Sequence, residues 1–217
     1  MIASLKGEFS IVRCLVDHGA LLDLTSKDGR TALHMAVQEG HAEVAEYLAS
    51  CCPSSMYVET KSGRIPIQMA AALTSERQMA GDRMTRYFIS LSGTSRMLAH
   101  MDRSGRTVLE DAVVANQIEL VKWLIQEHGA TPERLDALGR NGWHHAAMMG
   151  HVTMIQQLQA LTTTNTSLDQ ADTWDLWTPL MYAAKNGHLD CVRCLLELRA
   201  DKTKKDKLGR TAKDLGK

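Results

Sequence analysis

A segment of 13 residues returns along the chain, and this repetition limits the fold more than any other feature of the sequence. The segment is GRTALHMAVQEGH, from Gly29 to His41. Further copies begin at Gly63, Gly105, Gly139, Leu176 and Gly209, so successive first residues lie 34, 42, 34, 37 and 33 positions apart. Spacings of this size are typical of arrays in which neighbouring copies stack and share one hydrophobic core.

Each copy predicts a turn followed by two short antiparallel helices. Thr31 can cap the first helix, because its hydroxyl can accept a hydrogen bond from a backbone N–H of the first turn. Leu33 and Ala36 then share one face of that helix, and Gly40 ends it so that a second helix can run back. Residues 10–20 match only the returning half, which predicts a partial copy at the start.

The pattern of a TPLHxA-type helix, a Gly-His turn and a return helix resembles the ankyrin repeat family. The resemblance covers nearly the whole chain and is specific, because it recurs in register. It implies an all-α solenoid of stacked helix-turn-helix copies with short β-turn tips. We therefore expect a single array over residues 1–217, with copies at 1–26 (partial), 27–60, 61–101 (with an insertion), 102–135, 136–171, 172–204 and 205–217 (partial).

The second copy departs from the pattern. Ile65 and Gln68 replace the capping Thr and the His, and about six extra residues are expected between its helices, in the stretch 74–82. Loops that lengthen one copy often carry function. An insertion that is simply tolerated is the alternative, since loop closure costs little per added residue.

The fourth and fifth copies also differ from the first. Trp143 stands where Leu33 stood, so its neighbours must be small. A polar loop at 162–172 is expected to supply the three extra residues before the fifth copy. There Leu176 replaces the turn Gly, so this tip must change conformation or carry about 1 kcal/mol or more of strain.

Composition excludes several classes of function. The 25 Lys and Arg residues equal the 25 Asp and Glu residues, so no net charge recruits nucleic acid or an acidic membrane. The longest apolar runs fall far short of the roughly 20 residues needed to span a bilayer. Five cysteines, an odd number, and the lack of an apolar leader favour a reducing intracellular compartment, cytoplasm or nucleus.

Both ends look like partial copies, so we expect an excerpt of a longer protein.

Patterns that could indicate catalysis or metal binding have structural explanations. His188, Cys191 and Cys194 form H-x2-C-x2-C, but both cysteines occupy core positions of the return helix and no second ligand pair has zinc spacing. Other histidines recur at fixed places, where the resemblance implies bonds to neighbouring turns. His145, beside His144, is out of register and the least explained. No phosphate loop, dinucleotide fingerprint or H-E-x-x-H motif occurs. We expect no catalysis, no metal and no cofactor.

The resemblance implies a concave groove, lined by the tips and first helices, that binds other proteins. The residue after each turn Gly is variable and faces this groove. These residues are Arg30, Arg64, Arg106, Arg140, Trp177 and Arg210. Stacked copies would align them into a ridge whose guanidinium groups suit carboxylates or phosphates. A solvated ridge without a ligand is the alternative.

The middle of the groove is expected to be apolar. Met148 and Met149, with Trp174 and Trp177 of the next copy, would form an adaptable hydrophobic floor. Aromatic, Met and Arg side chains are enriched where binding energy concentrates. Packing between repeats is the alternative role for the methionines.

We therefore expect a non-catalytic module that binds a partner protein through an acidic-apolar segment. The expected contact residues are Arg106, Arg140, His145, Met148, Met149, Trp174, Trp177, Lys185, Arg30 and Arg64. Nucleic acid and membrane are not expected as partners, whereas the rest of a larger polypeptide is possible. The alternative is a regulatory or substrate-recruiting domain of a larger enzyme, such as an acyltransferase, a kinase or a ubiquitin ligase. A purely structural spacer is a third possibility.

Overall fold

The fold is built from paired helices, as the repeats predict. The computed structural model describes residues 1–92, 94–162 and 168–216, and the regular structure within these ranges is helical. The chain divides into two compact parts, Met1–Arg103 (unit 1) and Ser104–Lys217 (unit 2). None of the helices in the described ranges is both long enough and apolar enough to cross a bilayer.

Unit 1 has two layers of helices. Its helices are α1 (Ile2–Lys6), α2 (Phe9–Asp17), α3 (Ala32–Gln38), α4 (Ala42–Cys51), α5 (Pro66–Ala71), α6 (Gln78–Ser92) and α7 (Thr94–Ala99). The first helices α1, α3 and α5 stack in one layer, and the return helices α2, α4 and α6 stack in the other. Leu33, Val44 and Leu48 are buried between the layers.

Unit 2 repeats this arrangement. Its helices are α8 (Val108–Val114), α9 (Ile118–Gln126), α10 (Gly142–Met149), α11 (Val152–Leu161), α12 (Pro179–Lys185), α13 (Leu189–Glu197) and α14 (Ala212–Leu215). Here α8, α10, α12 and α14 form the first layer, and α9, α11 and α13 form the second. Trp143, Ile155 and Leu158 are buried between them.

The predicted helix caps are confirmed. The Thr31 hydroxyl accepts a hydrogen bond from the His34 backbone N–H at 3.4 Å, and the Asn141 side chain accepts one from the His144 backbone N–H at 3.2 Å. Ile65 has no side-chain acceptor. Instead, the Gln68 Oε1 accepts a hydrogen bond from the Ile65 backbone N–H at 3.2 Å. The second copy thus keeps one of the two cap hydrogen bonds, the one that the side chain three residues later accepts from the backbone N–H of the cap residue.

The inserted stretch 74–82 is not the extended loop that was expected. Residues 75–77 form one turn of 3-10 helix, and α6 begins at Gln78, so most of the extra residues lengthen the return helix. Arg77 ties this start to α3, because its guanidinium donates to the Gln38 carbonyl at 3.1 Å and pairs with Glu39 at 2.9 Å. The insertion is therefore an ordered part of unit 1.

The turn of the fifth copy, before α12, is one residue longer than was expected. The alternatives for Leu176 were a changed conformation or strain, and the residue has a positive φ of 60°, in the left-handed region that the turn Gly residues of other copies occupy. The Asp172 backbone N–H donates to the carbonyl of Trp177, five residues later, whereas the equivalent bond from Asp136 reaches Arg140, four residues later. One of the three extra residues therefore lies inside this turn, and the expected loop at 162–172 does not supply all three. Residues 163–167 of that loop lie outside the described residues.

Candidate functional site

The turns and first helices of unit 2 form one surface, which we call the recognition face. Backbone hydrogen bonds join neighbouring turns along it. The Ala137 N–H donates to the Ser104 carbonyl at 2.9 Å, the Thr173 N–H donates to the Leu138 carbonyl at 2.8 Å, and the Lys207 N–H donates to the Asp175 carbonyl at 3.0 Å. These bonds hold the turns before α8, α10, α12 and α14 side by side.

A buried carboxylate organises the turn before α10. The Asp136 Oδ2 accepts from the Arg140 Nε at 2.8 Å, lies 2.7 Å from the Arg140 Nη2 and is 3.3 Å from the His145 Nε2. Its Oδ1 accepts from the backbone N–H groups of Leu138 and Arg140, both at 2.9 Å. Burial alone would raise the pKa of Asp136, but the bonds from His145 and Arg140, with the charge of Arg140, hold it well below its usual value.

The turn before α12 replaces the arginine with aromatic side chains. The Asp172 Oδ2 accepts a hydrogen bond from the Tyr182 hydroxyl at 2.6 Å, and its Oδ1 accepts from the Trp177 backbone N–H at 3.0 Å. Burial and the Asp172 carboxylate raise the pKa of Tyr182 well above its usual value, so the phenol stays protonated and donates. The nearby Arg140 acts in the opposite direction and lowers the pKa of this phenol, but by less.

Trp177 is held by contacts within the chain. Its ring meets the Tyr182 ring edge-on, with centroids 5.2 Å apart. Its indole N–H donates to the Asp206 Oδ2 at 3.3 Å, and Asp206 also pairs with Arg210 at 2.7 Å. Trp177 therefore helps to fix neighbouring turns and is less available to a partner than its position in the repeat suggested.

The arginines at the predicted groove positions are bonded within each unit. In unit 2, Arg140 pairs with Asp136, has a side chain only 17% exposed, and is therefore largely neutralised. Arg106 lies 3.7 Å from the Asp111 carboxylate. In unit 1, the Arg30 guanidinium donates to the Gln38 side chain at 2.5 Å and the Arg64 guanidinium donates to the Gln68 carbonyl at 3.0 Å. Arg106 and Arg140 thus lie beside carboxylates, whereas these hydrogen bonds of Arg30 and Arg64 go to uncharged oxygens, which do not neutralise their positive charge.

His145 was expected to contact a partner, and the structure corrects this expectation. The residue is 1% exposed, with its Nε2 beside Asp136, so a partner cannot reach it in this conformation. It is a positioning residue, because it supports the carboxylate that holds Arg140.

Trp177 and Met148, two residues of the expected hydrophobic floor, lie at different turns of α10. The His144 Nε2 bonds the Trp177 carbonyl at 3.1 Å, which puts Trp177 beside the first turn of α10. The Met148 carbonyl accepts from the Asn186 Nδ2 at 2.8 Å, near the other end of this helix. His144 and Met148 are four residues apart, and a helix rises 1.5 Å per residue, so these two contacts lie about 6 Å apart along the helix axis. Among the expected contact residues, Trp174 is 67% exposed and Met149 is 44% exposed, and Lys185 is also exposed.

A column of polar residues was missed from the sequence. Asp111, His145 and Tyr182 follow the groove residues Arg106, Arg140 and Trp177 by five positions each. Unit 1 has Met35 and Met69 at the corresponding places. The change from Met to titratable residues was visible in an alignment of the copies and marks unit 2 as the one with a polar network.

The histidines and cysteines have the structural roles that were predicted. His151 and His188 bond the carbonyls of Val114 and Met148 in the preceding copies, at 3.0 and 3.1 Å. Cys191 and Cys194 are buried, and burial raises the pKa of Cys191 to about 11. Within the described residues, no group of three or more His, Cys, Asp or Glu side chains could hold a metal ion.

Stacked pairs of antiparallel helices, joined by hydrogen-bonded turns, define a helical repeat protein. The family model "Ankyrin repeats (3 copies)" matches residues 1–57 and 128–206, and the chain belongs to the ankyrin repeat family. The fold class predicted from the sequence, an all-α ankyrin-repeat solenoid, is confirmed. Ankyrin repeat domains are generally protein–protein interaction modules and typically have no catalytic activity.

Solved structures show the same fold. The human ASB11 ankyrin repeat domain superposes with a TM-score of 0.79 at 18% identity, covering 99% of this chain and 90% of that one. The ankyrin repeat domain of Bcl-3, described as a member of the IkappaB protein family, superposes with a TM-score of 0.72 at 24% identity. The superposition covers 100% of this chain and 92% of the Bcl-3 domain.

Curated relatives are much longer than this chain. Human Rabankyrin-5 is 27% identical over 158 residues, which are 72% of this chain and 13% of the relative. The ankyrin repeat protein nuc-2 of Neurospora crassa is 28% identical over an alignment of length 230, which covers 90% of this chain and 20% of the relative. The chain thus spans a fifth or less of either protein.

Proposed function

We propose that the recognition face of unit 2 binds a segment of an intracellular partner protein between Arg106 and Asn186. The exposed side chains of Trp174 and Met149 carry this proposal, since both lie on a face whose turns are fixed by hydrogen bonds. An aromatic ring and a methionine side chain are well suited to bury apolar surface of varied shape. The partner segment is therefore apolar at two points.

The turn that carries Trp174 is already ordered. The Lys207 ammonium donates to the carbonyls of Thr173 and Trp174, and the Lys207 N–H donates to the Asp175 carbonyl. Binding a preformed surface loses little conformational entropy, so more of the contact energy is retained as affinity. This order favours recognition by the turn as it stands.

The acidic character of the partner rests on the edges of the face. Lys185 is exposed at the end of α12, and Arg106 keeps a side chain 26% exposed despite its contact with Asp111. Arg140 is already paired with Asp136. Acidic residues of the partner would therefore mainly steer association and set its orientation.

Alanine substitution of the two exposed apolar residues tests the proposal. Partners captured from a cell extract by the wild-type chain are identified by quantitative mass spectrometry, and the purified partner is titrated calorimetrically. Trp174→Ala and Met149→Ala should each weaken binding by about 1–3 kcal/mol, because truncation of a central apolar contact has this effect. Trp177→Ala is not used, since it would also remove the bond to Asp206.

Met79→Ala in α6 is the matched control, because Met79 is an exposed methionine outside the recognition face. It should leave affinity unchanged, and all variants should keep the wild-type thermal midpoint. Unchanged affinity in both test variants, or an equal loss in the control, would contradict the proposed site.

A second candidate function is a recruiting domain within a larger enzyme. The length of the relatives favours it, and the mouse liver isoform of mitochondrial glutaminase is 33% identical to this chain over 70 residues. In that case the partner segment belongs to a substrate or to another part of the same polypeptide. The sequence of the full-length open reading frame distinguishes this from an independent module.

A further inference from the structure

A second surface of unit 2 is a groove of about 880 Å³ beside α12, α13 and α14. Its apolar lining includes Ala183, Leu189, Val192 and Leu196. Although α13 packs against α11 and α12, Leu189 remains 57% exposed and Leu196 remains 42% exposed. Apolar side chains that lie together in a concave surface are typical of a protein-binding site. This groove is separate from Trp174 and Met149, which do not line it.

The stacking of the return helices indicates the shape of the ligand. The apolar side of α11 is covered by α13, and Ile155 on α11 is completely buried. Val192 occupies the corresponding position on α13, 37 residues later, as His188 does relative to His151. A helix laid on α13 would repeat the packing that α13 makes on α11, at the place where each earlier copy of unit 2 has the next return helix of the stack.

The rim of the groove is basic. Lys202, Lys205 and Lys213 line it, and all three are exposed. Residues 199–216 contain seven Lys and Arg residues against three Asp residues, although the whole chain has no net charge.

The three aspartates of this segment are bonded locally. Asp201 accepts from the Thr203 N–H at 2.8 Å, Asp206 pairs with Arg210 at 2.7 Å, and Asp214 accepts from the Thr211 N–H at 3.0 Å. The rim therefore presents positive charge around an apolar centre, which complements a ligand with carboxylates beside its apolar side chains.

We propose that this groove is a second protein-binding site, and that its ligand is an amphipathic helix with leucine-like side chains on one face and carboxylates beside them. An apolar helical face lying in a groove is an established mode of peptide recognition. The lysines select acidic helices, and the side chains of α13 supply the apolar contact.

The test uses fluorescently labelled synthetic helices of about 20 residues and the whole chain. The first peptide has Leu at i, i+3, i+4 and i+7 with Glu beside this face, the second has the same composition with Leu spread around the helix, and the third has Lys in place of Glu. By fluorescence anisotropy, the first should bind about tenfold or more tighter than either comparator, as the loss of one or two central contacts would give.

Paired variants locate the site. Leu196→Glu should weaken binding of the first peptide about tenfold, whereas Leu208→Glu, which places the same charge at an exposed leucine outside the groove, should not. Lys205→Gln should weaken binding and its salt dependence, whereas Lys204→Gln, the adjacent exposed lysine that does not line the groove, should have little effect. Trp174→Ala should leave peptide binding unchanged, which separates this site from the recognition face.

Several outcomes would overturn the proposal. Equal affinity for all three peptides would do so, as would equal effects within either pair of variants. A wild-type dimer in sedimentation equilibrium that Leu196→Glu dissociates would assign the groove to a second copy of this chain. Binding to phosphatidylserine vesicles that depends on Lys205 but not on Leu196 would assign it to a lipid surface.

Discussion

Gly81 shows how one missing methyl group can set the distance between two helices. It lies inside α6 without a special backbone angle, but a Cβ at this position would clash with the Ala70 carbonyl oxygen and lie 3.1 Å from the Leu73 Cβ. The Thr85 hydroxyl also donates to the Gly81 carbonyl at 2.8 Å. Here α5 and α6 pack closely because glycine has no side chain.

Gly81→Ala should therefore destabilise unit 1. Helix propensity alone predicts a gain of about 1 kcal/mol for this change. Overpacking predicts a loss of about 1–3 kcal/mol, and we expect the loss to dominate because a backbone oxygen cannot move without moving α5. The free energy of unfolding from urea titration measures the sign. A gain in stability would show that α5 and α6 can separate freely.

Contacts between residues close in sequence were predictable, and those that depend on a folded turn were not. The caps at Thr31 and Asn141 involve residues three positions away, so the helix pattern alone predicts them. The contact of Asp136 with His145 spans nine residues and depends on the conformation of the turn. His145 could be recognised as out of register, but not as buried.

At the scale of helices, α6 shows how an insertion can extend an element. In the stretch T-S-E-R-Q from Thr74, residues 75–77 form the 3-10 turn, Ser75 has a positive φ of 55°, and α6 begins at Gln78. Alignment by the return helix located the extra residues but assigned them to a loop, because no Gly marked the turn. The inserted residues lengthen the helix that packs against α5, and this packing is not visible in an alignment of the copies.

Trp143 makes α10 different from the first helices of the other copies. Its side chain is completely buried, and a Cβ on Gly142 would lie 3.2 Å from Pro132 and 3.4 Å from the Leu158 Cδ1. A side chain at Gly142 would thus be crowded by Pro132 and Leu158, and the accommodation of the Trp143 ring by small neighbours stays a prediction. The surroundings are fitted to tryptophan, although Leu33 fills the same repeat position in unit 1.

Trp143→Leu should therefore leave a cavity and destabilise the chain by about 2–4 kcal/mol, in the range of large-to-small substitutions in cores. Urea unfolding monitored by far-UV circular dichroism measures the change. Trp123→Leu provides the same substitution at a half-buried site on α9 and should have a smaller effect. Equal losses at both positions would indicate that the core around α10 collapses to fill the space.

At the scale of the whole molecule, zero net charge conceals local differences. The sequence count predicts no general attraction to nucleic acid, but it does not show the basic segment at 199–216 or the internally paired arginines of the recognition face. Arg140 and Arg210 are each paired with an aspartate four residues earlier in the chain. Charge composition therefore predicts the class of partner less well than the pairing does.

Stability should depend on pH through two buried histidines. Burial lowers the pKa of His34 and that of His144 from 6.5 to about 4, and both side chains are fully inaccessible to solvent. As pH falls from 6.5 towards 4, the unfolded chain binds protons that the folded chain does not, so the free energy of unfolding decreases. Each pH unit lowers it by about 1.4 kcal/mol per histidine, or about 3 kcal/mol per histidine over the window. Asp136, whose pKa is lowered, loses its stabilising effect only at more acidic pH.

Gln68 suggests the substitutions that test this dependence, because it replaces the histidine in the second copy and still accepts the hydrogen bond from the Ile65 N–H. His34→Gln and His144→Gln should fold at pH 7, and each should reduce the slope of the free energy of unfolding between pH 6.5 and 4.5. Urea titrations at intervals of half a pH unit measure this slope. If both variants keep the wild-type slope, protonation elsewhere controls acid stability, and the buried histidines serve only to hold the turns.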